Sequence, residues 1–280
     1  MADALDIDGL KAKANDIRKL IIKITTEAGS GHPTSSLSAV EIVTSLYFGG
    51  VMKHDPGNAK DPSRDRFILS KGHAVPVLYA TMKEAGYYTE DEVMTLRKLG
   101  SKWEGHPNVK LAGMEACTGS LGQGLSLGMG HALAAKLDGH DYHTFVMMGD
   151  GEIDQGQVWE AFAAADKYKL HNLVAIIDRN KFQQTGACDE VLPMDSLVTK
   201  SNAFGWKTIE INGNDMGEAL DALQQAKANT DGPTCIVSQT QKGFGILPLL
   251  KEKGDMNMHG QPLPPEMAEK ALAHLDSQAV

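Results

Sequence analysis

Thr144-Phe145-Val146-Met147-Met148-Gly149-Asp150-Gly151, followed downstream by Leu173-Val174-Ala175-Ile176-Ile177 and then Asn180, is the stretch that decides the fold. Two short apolar runs flank a helix-like segment, and each run ends on a polar group. This reads as a βαβ unit with a carboxylate and an amide at the carboxyl ends of two neighbouring strands. In open parallel sheets ligands bind at that edge. An acid, an amide oxygen and two glycines placed there suit a hard cation carrying a diphosphate.

Working outward, the same alternation continues. The spacing of Leu10, Ala14, Ile17, Ile21 and Ile24 predicts a helix over 8–28, closed by Gly29-Ser30-Gly31-His32-Pro33. A helix near 37–48, a strand at 66–70 and a helix from 74 follow. Residues 89–99 read as a helix whose Thr89 and Glu92 form a capping box. Residues 121–137 read as a Gly- and Ala-rich helix. Gly122, Gly124, Gly128 and Gly130 cost roughly 1 kcal/mol each against Ala in a helix interior, which points to tight packing there. Strands at 143–148, 172–177, 206–211 and 234–238 alternate with helices at 157–169, 195–204, 216–229 and 265–275. The expected fold is α/β, a parallel sheet flanked by helices. No linker or internal repeat divides the chain, so residues 1–280 read as one domain with short terminal extensions.

Composition narrows the function. The 280 residues carry a net charge of −9. Lysine and arginine form no runs, which disfavours nucleic acid or an anionic membrane as partner. The start of the chain lacks a basic segment before an apolar one, and no apolar stretch approaches the roughly 18 residues of a membrane span. Cys117, Cys188 and Cys235 are far apart and form no CxxC, as expected of core or incidental thiols in a reduced cytoplasmic setting. There is no Gly-Lys dipeptide and hence no P-loop. Around Gly122-Gln123-Gly124, Leu127 stands where a dinucleotide fingerprint needs its third glycine. No histidine spacing suits zinc.

Of ten histidines, His32 and His106 (in Gly-His-Pro), His73 (in Lys-Gly-His-Ala) and His259 (in Met-His-Gly) sit beside glycine in polar loops. With an unperturbed pKa of about 6.5 they can bind anions or move protons at hydroxyls. Asp150 and Asn180, with a backbone carbonyl such as that of Phe182, can hold a divalent metal. Either Asx residue alone reads more readily as a turn cap; as a pair with flanking glycines the metal reading prevails.

Gly149-Asp150-Gly151 through Asn180 resembles the thiamine-diphosphate signature. The words Ser30-Gly31-His32-Pro33, Arg66-Phe67-Ile68-Leu69-Ser70-Lys71-Gly72-His73, Gly105-His106-Pro107, Gly119-Ser120-Leu121-Gly122-Gln123-Gly124 and Asp178-Arg179-Asn180-Lys181 resemble transketolase in particular, in order, from about residue 10 to 265. The resemblance covers only the amino-terminal, diphosphate-binding half of a full-length transketolase. It implies a thiamine-diphosphate fold, thiamine diphosphate with Mg²⁺ (or Ca²⁺ or Mn²⁺), and a separate carboxy-terminal, pyrimidine-binding subunit in an α2β2 heterotetramer. It implies transfer of a two-carbon ketol unit from a ketose (phosphate) to an aldose (phosphate), with the cofactor as electron sink.

Carried over by position, the resemblance implies that Asp150, Asn180 and the Phe182 carbonyl hold the metal. It implies that Gly151 and His73 approach the diphosphate, that Gly149 and His259 also bind the cofactor, and that Gly119 and Leu121 lie near the aminopyrimidine. His32, His106 and His259 would face the sugar, and Glu160 would belong to a carboxylate network across a subunit interface. Gln155, Gln184, Thr185 and Thr34 depart from the common family pattern. Gln155 replaces a glutamate of the network, and Gln184 an apolar residue at the thiazolium. Two other readings stay open: a non-catalytic cofactor-binding or regulatory subunit, and a 1-deoxyxylulose-5-phosphate synthase-like half-enzyme.

Overall fold

A computed structural model describes residues 4–194 and 196–278. Five strands form one parallel sheet: β1 (Arg66–Leu69), β2 (Thr144–Gly149), β3 (Leu173–Arg179), β6 (Lys207–Asn212) and β7 (Thr234–Gln239). Their order is β1-β2-β3-β7-β6. β4 (Phe182–Gln183) and β5 (Gly186–Ala187) make a small antiparallel hairpin just beyond β3. The parallel α/β expectation is met.

The central strands are apolar on both faces because helices cover both. Alternate residues divide between two cores. Phe145, Met147, Val174, Ile176 and Ile236 face a layer that includes helices Ile7–Ala28, Val40–Phe48, Met216–Lys227 and Pro265–Ser277. Val146, Met148, Ala175, Ile177 and Val237 face helices Gln123–Asp138, Gly156–Lys167 and Leu197–Ala203. Edge strand β6 is mostly exposed or half-buried, with only Ile211 buried. Thr144 pairs with Leu173 and Gly149 with Asp178. That register sets Asp150 beside the segment that leads to Asn180.

Several boundaries differ from the sequence expectation. The helix expected over 89–99 is only Glu90–Val93, although both halves of the Thr89–Glu92 capping box form. The chain then turns, with Arg97 at φ 57°, its N–H bonded to the Trp103 carbonyl and Leu99 left in solvent. The segment near 37–48 is two helices, Pro33–Leu37 and Val40–Phe48. The Gly-rich helix begins at Gln123, with Gly122 outside it at φ 89°, a left-handed conformation that favours glycine. Helix Leu197–Ala203 lies within the stretch expected at 195–204, of which Asp195 falls outside the described residues. Residues 1–3 and 279–280, part of the expected 1–280 domain, also fall outside them. Helices Cys188–Val191 and Leu247–Lys253 and the β4–β5 hairpin carry too few residues to show a period.

Candidate active site at the carboxyl edge of the sheet

The carboxyl ends of β1, β2, β3 and β7 converge, and each delivers a polar group. Beyond β1 come Ser70, Lys71 and the turn Gly72–Ala74 that carries His73. Beyond β2 comes Asp150, beyond β3 Asn180, and beyond β7 Thr240 and Lys242.

Asp150 is buried. Its carboxylate accepts hydrogen bonds from the Gly151 and Lys181 N–H groups at 2.9 and 2.5 Å. Burial, reinforced by the nearby Asp178 charge, pushes its pKa up to about 6. Without a cation that ionised group is penalised, so the site fits a positive charge. Asn180 donates from Nδ2 to Asp178 at 3.1 Å, and its Oδ1 accepts from the Phe182 N–H at 3.1 Å. That leaves a second lone pair on the amide oxygen. Among the described residues no group of three or more His, Cys, Asp or Glu could hold a metal. A cation here would therefore combine one carboxylate with neutral and phosphate oxygens, the set preferred by Mg²⁺ and Ca²⁺. Cys188, expected to be a core or incidental thiol, is buried and hydrogen-bonds Asp150; burial and Asp150 both keep the thiol protonated.

Beneath this pair lies a buried ion pair that the sequence reading did not single out. Lys71 Nζ sits 2.5 Å from Asp178 Oδ2, and both side chains are enclosed. Asp178 also accepts from Ser38 at 2.7 Å and from Thr240. Burial opposes its ionisation, but Lys71 and these hydroxyls outweigh burial and hold its carboxyl below the usual range. Asp178 thereby fixes the orientation of the Asn180 amide.

Three of the loop histidines come together. The rings of His32 and His73 are 4.9 Å apart, those of His32 and His259 5.0 Å, and those of His73 and His259 5.4 Å. Ser36 ties two of them in place: its hydroxyl donates to the His32 carbonyl at 2.8 Å and reaches the Ala74 carbonyl at 3.2 Å. His106 lies near His32 and against Gly119, where a Cβ would stand 3.3 Å from its ring. Burial, then neighbouring cations and imidazoles, lowers the pKa of His32 to about 4 and that of His259 to about 4. His73 and His106 are lowered for the same leading reason. Neutral rings can both donate to and accept from hydroxyls. His32 Nδ1 is buried without a protein partner, as expected of an atom that meets a ligand.

Lys242 and Asn257 were also missed. Lys242 Nζ contacts Asn257 Oδ1 at 2.5 Å and His259 Nδ1 at 3.0 Å, and burial lowers its pKa to about 8. Lys242 follows a strand end, so the rule that found Asp150 points to it as well. Asn257 has no such signal. It joins the β4–β5 hairpin through Gln183 at 3.1 Å to Thr34, whose hydroxyl donates to the Asn257 carbonyl at 3.1 Å. The unusual Thr34 thus stitches the His32 helix to the His259 loop.

Other expected residues sit differently. A Cβ on Gly151 would come within 2.7 Å of Gln183, so close approach of the hairpin already requires glycine there. Gly119 and the partly exposed Leu121 lie on the rim. Glu160 is exposed on helix Gly156–Lys167, apart from the histidine cluster, and Gln155 is exposed at that helix's start. Gln184 and Thr185 form the exposed tip of the β4–β5 hairpin. Glu152 instead is buried, accepting from Ser70 and from the Gly122 and Gly149 N–H groups at 2.9 and 3.0 Å.

Comparison with known proteins agrees with this geometry. Residues 10–275 match the family described as "Transketolase, thiamine diphosphate binding domain". The chain is 43% identical to the transketolase of Homo sapiens over 277 residues, covering 99% of this chain and 43% of that protein. It thus spans less than half the length of that relative. It is 40% identical over 242 residues to an apulose-4-phosphate transketolase subunit of Phocaeicola vulgatus, covering 86% of each. Among solved structures, Campylobacter jejuni transketolase superposes with a TM-score of 0.87 at 31% identity, covering 96% of this chain and 42% of that one. The transketolase of Leishmania mexicana gives 0.86 at 31% identity, over 99% and 41%. With this sheet edge, this histidine cluster and these matches, the chain belongs to the transketolase thiamine-diphosphate-binding domain family.

Proposed function

We propose that the chain is the diphosphate-binding subunit of a split transketolase that moves a two-carbon ketol unit from a ketose to an aldose. The observation that carries this reading is the packing of His32, His73 and His259 within 5.4 Å of one another at the sheet edge that also bears Asp150 and Asn180. The chain's match to all but a seventh of a relative named as a subunit supports a separate partner. That partner would supply the pyrimidine-binding half, in an α2β2 heterotetramer.

Asp150, Asn180 and the Phe182 carbonyl would hold Mg²⁺. Gly149, Gly151, His73 and Lys242 would meet the diphosphate, and Gly119 and Leu121 the aminopyrimidine. Bound thiamine diphosphate supplies the electron sink for breaking and making the carbon–carbon bond. His32, His106 and His259, neutral at pH 7, would orient the sugar hydroxyls and accept or return their protons. Lys242 would hold the His259 ring through its contact with Nδ1. Glu160, on the exposed face, would work across the interface with the partner. Cys117, Cys188 and Cys235 are free thiols, the state that a reducing cytoplasm maintains. Among the described residues no helix is long and apolar enough to cross a membrane.

The test is reconstitution. The purified chain is expected to show no ketol transfer alone and to gain it with the partner. Robust turnover by the chain alone would overturn the split reading. In the complex, Asp150→Ala should remove the magnesium dependence of cofactor affinity; calorimetry that finds the affinity unchanged would remove the metal assignment.

A further inference from the structure

The opposite edge of the sheet holds a second constellation that the ketol-transfer reading does not use. A cleft of about 600 Å³ opens at the amino ends of β1, β2 and β3. Its volume lies in the range of small-molecule sites, roughly 300–1,000 Å³. Strand β2 spans the sheet from this cleft to Asp150, a distance of about 20 Å at ~3.3 Å per residue.

Its lining is basic in a protein whose net charge is −9. Lys53, Lys136 and Lys227 face it, against the carboxylates of Asp65 and Asp141. Asp65 is already engaged: it accepts from Lys227 Nζ and the Lys53 N–H at 2.8 Å each, and from the His143 N–H at 2.7 Å. The hydrogen-bond partners of Lys53 and Lys136 are neutral, the Ser63 hydroxyl at 2.9 Å and the Tyr168 carbonyl at 2.8 Å, although Asp61 lies close enough to Lys53 to feel its charge. Three ammonium groups thus face two carboxylates in the cleft, and Lys136 makes no ion pair.

Three histidines, His140, His143 and His171, join them. His143 stands out. Both its ring nitrogens are buried, yet neither makes a well-aligned hydrogen bond within the protein; the Lys227 backbone only lies near. Asn172, at the start of β3, likewise has a buried Oδ1 without a partner, its Nδ2 being spent on the Ala132 and Tyr142 carbonyls. Buried polar atoms left unpaired at a cleft call for a partner, ordered water or a ligand. A metal does not fit, since no group of three candidate ligands among the described residues could hold one.

We propose that this cleft binds a phosphate monoester dianion, the phosphate held by Lys53 and Lys136 beside the His143 ring, and the remaining space taken by a small polar body such as a sugar. Charge-assisted hydrogen bonds from ammonium to phosphate are the strong kind. The site is remote from the catalytic edge but joined to it by buried strands, so the ligand class is that of an effector rather than a reactant. The proposal does not depend on the ketol-transfer reading.

The experiment titrates the whole chain with inorganic phosphate, glucose 6-phosphate and glucose, following the histidine-ring carbon–proton signals and the heat of binding. Saturable shifts of His140, His143 and His171 are expected with both phosphates and not with glucose. Lys53→Ala with Lys136→Ala should weaken binding about tenfold or more; both side chains are exposed, so melting should be unchanged. Tighter binding of the sugar phosphate supports a phosphorylated metabolite, and equal binding supports recognition of the phosphate head alone. Shifts confined to His32, His73 and His259 would place the phosphate at the catalytic edge only and overturn the proposal. So would affinity unchanged in the double variant, or no saturation by either phosphate.

Discussion

Lys71 and Asp178 form an enclosed ion pair, Nζ to Oδ2 at 2.5 Å, directly under the loop that presents Asp150 and Asn180. The pair joins the end of β1 to the end of β3 across β2, so it locks the depth of the sheet edge on which the candidate metal site rests. Its worth is positional. Isolated buried pairs give little net stability, but breaking one strands a charge.

Lys71→Ala is therefore expected to cost about 3–5 kcal/mol, read as a shift in the urea midpoint. Lys71→Met combined with Asp178→Asn should recover a large part of that loss, because no buried charge is left alone. A double variant as unstable as Lys71→Ala would show that packing, not charge, dominates here.

Asp150 carries a pH signature. Its folded pKa, about 6, lies above the unfolded value, so the folded state holds this proton more tightly. Stability linked to it is present below about pH 4 and is lost as pH rises through 6, a cost of about 3 kcal/mol at pH 7 for two units of displacement. Asp150→Asn removes that cost and gives up part of one acceptor worth ~1 kcal/mol. In metal-free buffer the variant should be the more stable by about 2 kcal/mol at pH 7, and the gap should close towards pH 4. Equal urea midpoints at pH 7 would contradict the burial argument.

The histidine cluster titrates in the opposite sense. His32 and His259, each lowered to about 4, are neutral when folded and bind protons more readily when unfolded. They therefore contribute stability above the unfolded value of about 6.5 that is lost as pH falls towards 4. Ring proton shifts of both should stay flat between about pH 5.5 and 8. A titration of either ring near 6.5 would mean that the cluster is open to water.

Within the Gly-rich helix the glycines are not alike. A Cβ on Gly128 would stand 2.2 Å from Val146 Cγ2, and one on Gly124 2.2 Å from Ser70 Oγ, whereas one on Gly130 meets nothing within 4 Å. Gly130→Ala should stabilise by up to about 1 kcal/mol from helix propensity. Gly128→Ala should destabilise by roughly 1–3 kcal/mol from overpacking. Thermal denaturation of the two variants decides this, and the same sign for both would refute it.

The sequence by itself determined the parallel sheet, because β2 and β3 are continuous apolar runs that only a sheet covered on both faces can bury. It also determined that Asp150 and Asn180 share an edge, since each follows a strand directly. The loop histidines were legible as chemistry through their glycine neighbours, although nothing local said that their rings would stand 4.9 to 5.4 Å apart. Only the tertiary structure decided that. Ser36, Thr34 and Asn257 bind three loops distant in sequence, and hydrogen bonds between such loops leave no periodic trace. The structure alone also set the Lys71–Asp178 pair beneath the site, left Glu160 in solvent, and gathered Lys53, Lys136 and His143 at the far edge. Strand pattern is local and survives in the sequence. The meeting of side chains across strands depends on register and sheet order, which no single segment records.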